Sequence, residues 1–156
     1  MKRPFALYWL SFFLLFLAFG GLYGGIAMLL DPSGGSLDMA GILPLLPVSS
    51  FVLPGLFLLL VMGLTPLALV YALLSRPKWD GLARLLGRNG RYWAWNATLL
   101  LSLTLAIWLM VQGWLIGFQW PIQYVTAVNA LLILLLALTP GVRRHYAYAV
   151  RKQQDK

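Results

Sequence analysis

The run FALYWLSFFLLFLAFGGLYGGIAMLL, from Phe5 to Leu30, meets Asp31-Pro32-Ser33-Gly34, and this junction decides the fold. The run is 26 residues without a charge. At 1.5 Å per residue it makes a helix of roughly 39 Å, enough to cross about 30 Å of hydrocarbon with tilt. The four residues after it have the order of a type I turn: an acceptor side chain, a preset φ, a polar residue, then glycine. Ala18-Phe19-Gly20 has the small-x-small form of a signal-peptide cleavage site. The apolar run continues ten residues past Gly20, longer than such a signal needs, so a retained first span is expected.

Composition agrees. Of 156 residues, 61% are hydrophobic and 10% charged, against about 25% charged in a soluble domain. Cysteine is absent, which excludes disulfides, thiolate metal sites and thiol–disulfide chemistry. Glutamate is absent too; the four acids are Asp31, Asp38, Asp80 and Asp155, and the single histidine is His145 in the basic tail. This inventory predicts no metal and no cofactor. Haem held between helices has no histidine within a span, and the usual four-helix quinone or thiol oxidoreductase has no cysteine.

Working outward, three further apolar runs stand at about 51–74, 95–118 and 122–139. They leave a loop at 31–50, a basic loop at 75–94 and a basic tail at 140–156. Ile42 to Val48 is apolar but broken by Pro44 and Pro47, so it is expected to lie in the interface or against the mouth of the bundle. Ser49-Ser50 offer N-caps for the second span, with Pro54 in its first turn. Thr65-Pro66 predicts a kink in mid-span. Between Trp79 and Trp95, Leu82, Leu85 and Leu86 at helical spacing predict a short amphipathic helix capped by Asp80, with a solvated basic turn as the alternative. The sequon Asn96-Ala97-Thr98 falls at the cytoplasmic end and is set aside.

The expected fold is all-α: one membrane domain, an antiparallel bundle of four helices with a partly structured extracytoplasmic loop between the first two. Four spans bring both termini and the basic loop to one side, so all 12 Lys and Arg residues collect there. The positive-inside rule makes that side cytoplasmic, and the net charge of +8 is read as topology rather than nucleic-acid binding. Trp and Tyr flank both ends of the spans. Gly20 with Gly24, Gly21 with Gly25, and Gly113 with Gly117 are spaced for close helix packing. Arg84, Arg88, Arg91, Arg143 and Arg144 are expected at lipid headgroups.

The loop side holds the candidate site. Asp31 and Asp38 face no Lys or Arg there, and Ser33, Gln112, Gln119, Gln123, Tyr124 and Asn129 supply further polar groups. They read either as an outer pocket for a cation, headgroup or small polar ligand, or as local structure, with Asp31 fixing a turn and the glutamines capping helices. Gln112 and Asn129 are placed to share one interhelical hydrogen bond worth about 0.6 kcal/mol; otherwise they point into a cavity.

Asp31-Pro32-Ser33-Gly34, Leu37-x-Met39, Phe51, Pro54-Gly55-Leu56-Phe57-Leu58 and the third-span residues Ile107-Trp108, Val111-Gln112 and Ile116-Gly117 resemble a group of small uncharacterised prokaryotic four-span membrane proteins. The resemblance covers the first three spans and extends to the fourth by length and hydropathy. In that group a glycine usually stands where Asp38 is, and an acid often where Ser50 is. The resemblance implies a fold and a location in the inner membrane of a prokaryote; it carries no activity.

The function expected is non-enzymatic: binding of a lipid or small ligand at the outer face, or service as an accessory subunit. Expected partners are membrane lipids and, for a subunit, another membrane protein or a second copy of the chain. A small transporter is the main alternative. The spans hold no acid for ion coupling, which argues against it. A lipid-modifying enzyme using Asp31 and Asp38 is a further one, and it requires a carboxyl with a raised pKa.

Overall fold

The computed structural model describes residues 3–87 and 91–154. Among the described residues, four helices are long and apolar enough to cross a membrane: α1 Phe5–Leu30, α2 Val52–Ser75, α4 Trp93–Ile116 and α5 Pro121–Leu138. Two more complete the chain, α3 Asp80–Leu86 and α6 Pro140–Gln154. No strand occurs among the described residues.

α1 is the central element. Leu7, Leu10, Leu14 and Leu17 recur at helical spacing and are buried with Leu69 and Leu73 of α2, Leu101 and Leu105 of α4, and Ile133 of α5. Phe5, Phe12, Phe16 and Phe19 of the same helix stay exposed. In hydrocarbon that exposure carries no hydrophobic penalty, so packing rather than apolarity selects the inner face. Small polar side chains in the core bond their own helix: Ser11 Oγ donates to Leu7 O at 2.9 Å and Thr98 Oγ1 to Ala94 O at 2.8 Å.

α1 approaches α2 through a subset of the expected glycines. A Cβ on Gly25 would lie 2.7 Å from Leu59 N and 2.9 Å from Gly55 O, and one on Gly21 would meet the Met62–Gly63 backbone. The other pairings are corrected. Gly20 faces open space, and Gly24 meets only the end of the Leu58 side chain at 3.4 Å. Gly113 accommodates the ring of Phe118, five residues along its own chain, and Gly117 ends α4 with φ +72°. The complementary glycines sit on α2: a Cβ on Gly55 would be 2.9 Å from Met28 Cβ, and one on Gly63 would be 2.9 Å from Leu22 Cδ2.

Pro66 changes the winding of α2 without breaking it. Proline has no N–H to give and crowds the carbonyl four residues back. The chain answers by widening Leu58–Leu64 into a π-helical stretch, and Thr65 Oγ1 donates to Leu60 O at 2.9 Å. The expected kink is therefore a π segment, a feature that recurs at functional sites.

The basic end differs from expectation in two ways. The 140–156 tail opens as a helix, and α6 docks through buried Val142, His145 and Tyr146. Asp80 is not a cap: it lies in the first turn of α3, Trp79 holds the cap position, and no side-chain cap bond forms. Ser49 and Ser50 likewise cap nothing; Phe51 precedes α2, again without a side-chain cap bond.

Candidate functional site

The loop at 31–50 is built from Asp31. Its Oδ1 accepts from Ser33 Oγ at 2.6 Å and from Ser33 N at 3.2 Å, and its Oδ2 accepts from Ser36 N at 2.7 Å. Gly34 N closes the turn on Asp31 O at 3.1 Å. Gly34 has φ +78°, and the Phe51 ring fills the space a Cβ would need. Hydrogen bonds, that from the Ser33 hydroxyl foremost, hold the Asp31 carboxyl below the usual carboxylate range. A general acid requires the opposite shift. Asp38 sits at φ 56°, the left-handed region that glycine adopts without strain.

Beyond the turn, two 3₁₀ segments, Gly35–Leu37 and Ala40–Leu45, fold the Pro-broken stretch back onto the helices. Phe51 N donates to Pro32 O at 2.9 Å and closes the loop at its base. Ile42, Met28 and Phe51 form a small core of their own, with Ile116 and Trp120 against it.

Between this loop, α2 and α4 lies a cavity of about 560 Å³. The loop contributes Ile42 and Pro47, α2 contributes Phe57 and Val61, and α4 contributes Trp108 and Gln112, among others. No lining side chain is charged, and the lining residues that carry a polar side-chain group are Gln112 and Trp108. Phe57 and Trp108 stack with centroids 4.3 Å apart, giving the cavity a flat aromatic wall. Leu58, Leu60 and Val61 of the π segment also line it, so the perturbation from Pro66 reaches the site.

The eight expected ligand groups are not brought together. Gln112 lines the cavity; the others serve elsewhere. Gln123 is buried and holds the α4–α5 turn, with Oε1 accepting from Gln119 N and Trp120 N at 3.1 Å each and Nε2 donating to Gly117 O at 3.1 Å. Tyr124 Oη donates to Phe118 O at 2.9 Å, and Gln119 is exposed. Asn129 does not pair with Gln112: its Nδ2 donates to Phe13 O on α1 at 3.3 Å, and its buried Oδ1 has no partner among the described residues. Asp31 and Ser33 bond within their turn.

A second constellation, which the sequence reading missed, occupies the basic end. The last carbonyls of a helix have no partner within it, and those of α2 are met by side chains from three other segments. Arg3 Nη2 donates to Leu74 O at 3.1 Å, Tyr92 Oη to Ala72 O at 3.2 Å, and Tyr146 Oη to Leu73 O at 2.8 Å. Arg76 contacts His145 Nε2 and lies 5.5 Å from the Tyr146 ring centroid. Arginine stays protonated, so Nε2 of His145 is the acceptor and the imidazole is neutral. Burial, reinforced by Arg76, holds His145 below the usual histidine range, while burial pushes the Tyr92 phenol up to about 12. Of the expected headgroup residues, Arg84, Arg143 and Arg144 are exposed, and Arg91 lies 4.7 Å over the Trp95 ring. Arg88 lies outside the described residues.

No family model, curated protein or solved structure matches the chain.

Proposed function

We propose that the chain is an integral membrane protein, an antiparallel bundle of four spans, that binds a lipid or small apolar ligand in the cavity between the loop, α2 and α4. The antiparallel arrangement is supported by contact order: Gly21 meets Met62–Gly63 while Gly25 meets Gly55 and Leu59, and Trp95 at the start of α4 bonds Ala137 near the end of α5. Collection of the cationic residues at the end bearing the termini supports a cytoplasmic basic side. The membrane is then the prokaryotic inner membrane of the resembling group.

The observation that carries the binding reading is the cavity itself, with its hydrocarbon lining and the Gln112 amide. Apolar pockets with a few placed polar groups are the usual form of a small-molecule site. Native mass spectrometry of the protein released from mild detergent tests it. A retained adduct, lost in a cavity-filling Val111→Trp variant, supports the reading; a protein that takes up no lipid from a mixed-lipid challenge refutes it. Catalysis by the loop acids gains no support, since the Asp31 carboxylate is engaged by its own turn.

A further inference from the structure

Resting on that reading, we infer that the ligand is a neutral-headed lipid whose hydroxyl or carbonyl bonds Gln112. The cavity offers no charged partner. None of its side chains is cationic to meet a phosphate, and none is anionic to meet an amine. Transfer of an unpaired charge into such surroundings is far costlier than transfer of a hydroxyl or carbonyl that finds a partner.

Gln112 then supplies the partner. It stands four residues before the end of α4 at Ile116, about 6 Å along the helix. Its side chain makes no hydrogen bond to any described residue, in contrast to Gln123 and Asn129. Gln112 is a half-buried amide beside a hydrocarbon-lined space, and no described protein group occupies its donor or acceptor. A ligand group that both accepts from its Nε2 and donates to its Oε1 pairs it fully, and a hydroxyl does both. The stacked Phe57 and Trp108 rings form a flat wall along the same space. This wall suits the planar bonds of an unsaturated or isoprenoid chain. At the ~30 Å³ a small group occupies in a liquid, a cavity of about 560 Å³ takes about 19 heavy atoms. A sesquiterpenoid-sized alcohol or ketone fits; a phospholipid would leave its headgroup and second chain outside.

The test is competitive loading of the detergent-solubilised full chain with an equimolar mixture of a long-chain prenyl alcohol, its phosphate monoester and a long-chain fatty acid. Native mass spectrometry reads the bound masses. The expected result is a one-to-one alcohol adduct exceeding either charged competitor by ~10-fold or more. Gln112→Leu should lower the preference for the alcohol over the matching hydrocarbon by ~3-fold or more, while the hydrocarbon still binds. Equal uptake of phosphate, acid and alcohol overturns the neutral-head inference and leaves the lipid site standing. An unchanged alcohol preference in Gln112→Leu overturns the role of the amide. If no probe binds, or Val111→Trp binds as the wild type does, the cavity reading itself falls.

Discussion

Gly20 and Gly25 give the sharpest prediction, because both lie on α1 and only one touches a neighbour. An alanine Cβ at Gly25 would stand 2.7 Å from Leu59 N and 2.9 Å from Leu59 Cα, so α1 and α2 must part by roughly 0.5–1 Å to restore ordinary contact. A gap of that size forfeits a quarter to a half of each atomic contact worth about 0.1–0.2 kcal/mol. Over some tens of atom pairs the loss comes to about 2 kcal/mol, within the 1–3 kcal/mol typical of overpacking. At Gly20 the new methyl meets nothing within 4 Å. Both substitutions share the gain from replacing a helical glycine, up to about 1 kcal/mol, so their difference isolates the contact. Gly25→Ala should therefore be about 2 kcal/mol less stable than Gly20→Ala in reversible SDS unfolding followed by tryptophan fluorescence. Gly24→Ala should behave like Gly20→Ala. A difference below about 0.5 kcal/mol, or a larger loss at Gly20, would refute the assignment of the α1–α2 interface.

The docked tail and the loop make separate predictions. Tyr146→Phe removes the donor to Leu73 O and should cost about 1–3 kcal/mol, because a buried carbonyl is left unpaired. His145 has a lowered pKa, so the unfolded chain binds its proton first. Docking of α6 should therefore hold above the ordinary histidine range and weaken as pH falls through it. Because the chain has no cysteine, a single cysteine at Val142 reports this as a labelling rate that rises relative to a free-thiol control as pH falls. The control removes the loss of thiolate in acid, and His145→Phe should flatten the response. At the loop, the depressed Asp31 pKa means that its hydrogen bonds persist above the usual carboxylate range and are lost only as pH falls through a lower value. The Ser36 amide resonance should follow that titration, and Asp31→Ala should abolish it and speed proteolysis of the loop. Restoring the missing donor with Pro66→Ala should let the π stretch tighten, seen as weaker ligand retention by native mass spectrometry.

The four long apolar helices were legible because a hydrocarbon span sets a length and a charge rule that short-range sequence satisfies alone. The observed ends at Leu30, Ser75, Ile116 and Leu138 differ from the expected ones by two residues at most. The Asp31 turn was legible for the same reason, since donor and acceptor are at most five residues apart. The glycines were half legible. A four-residue spacing says that one face is smooth; which face meets a neighbour depends on Gly55 and Gly63, brought opposite by tertiary packing. The docked tail was hidden because its basic residues dominated the reading. Val142, His145 and Tyr146 at i, i+3 and i+4 were the signal that the helix had a buried face.

The cavity puts the candidate site at the loop end. At the basic end, side chains from distant segments converge on the last carbonyls of α2, and Tyr92 Oη bridges from Ala72 O at 3.2 Å to Pro77 O, just past the helix, at 3.1 Å. Such a set stabilises the bundle, while the buried Trp93 Nε1 and His145 Nδ1 there have no partner among the described residues. At the loop end the local needs are also met, by Asp31 for its turn and by Gln123 for the α4–α5 connection. Gln112 is the exception. It lines a hydrocarbon-walled space beside a π-widened helix and bonds no described residue. A bound hydroxyl or carbonyl pairs with it, and occupancy should raise stability by mass action as well as report binding. The same prenyl alcohol that loads the cavity should then shift the SDS unfolding midpoint upward in the wild type. In Gln112→Leu the shift should be smaller at equal concentration, and the unliganded variant should be no less stable than the wild type. A Gln112→Leu protein clearly less stable without ligand would show that the amide supports the fold, and would remove the polar half of the argument.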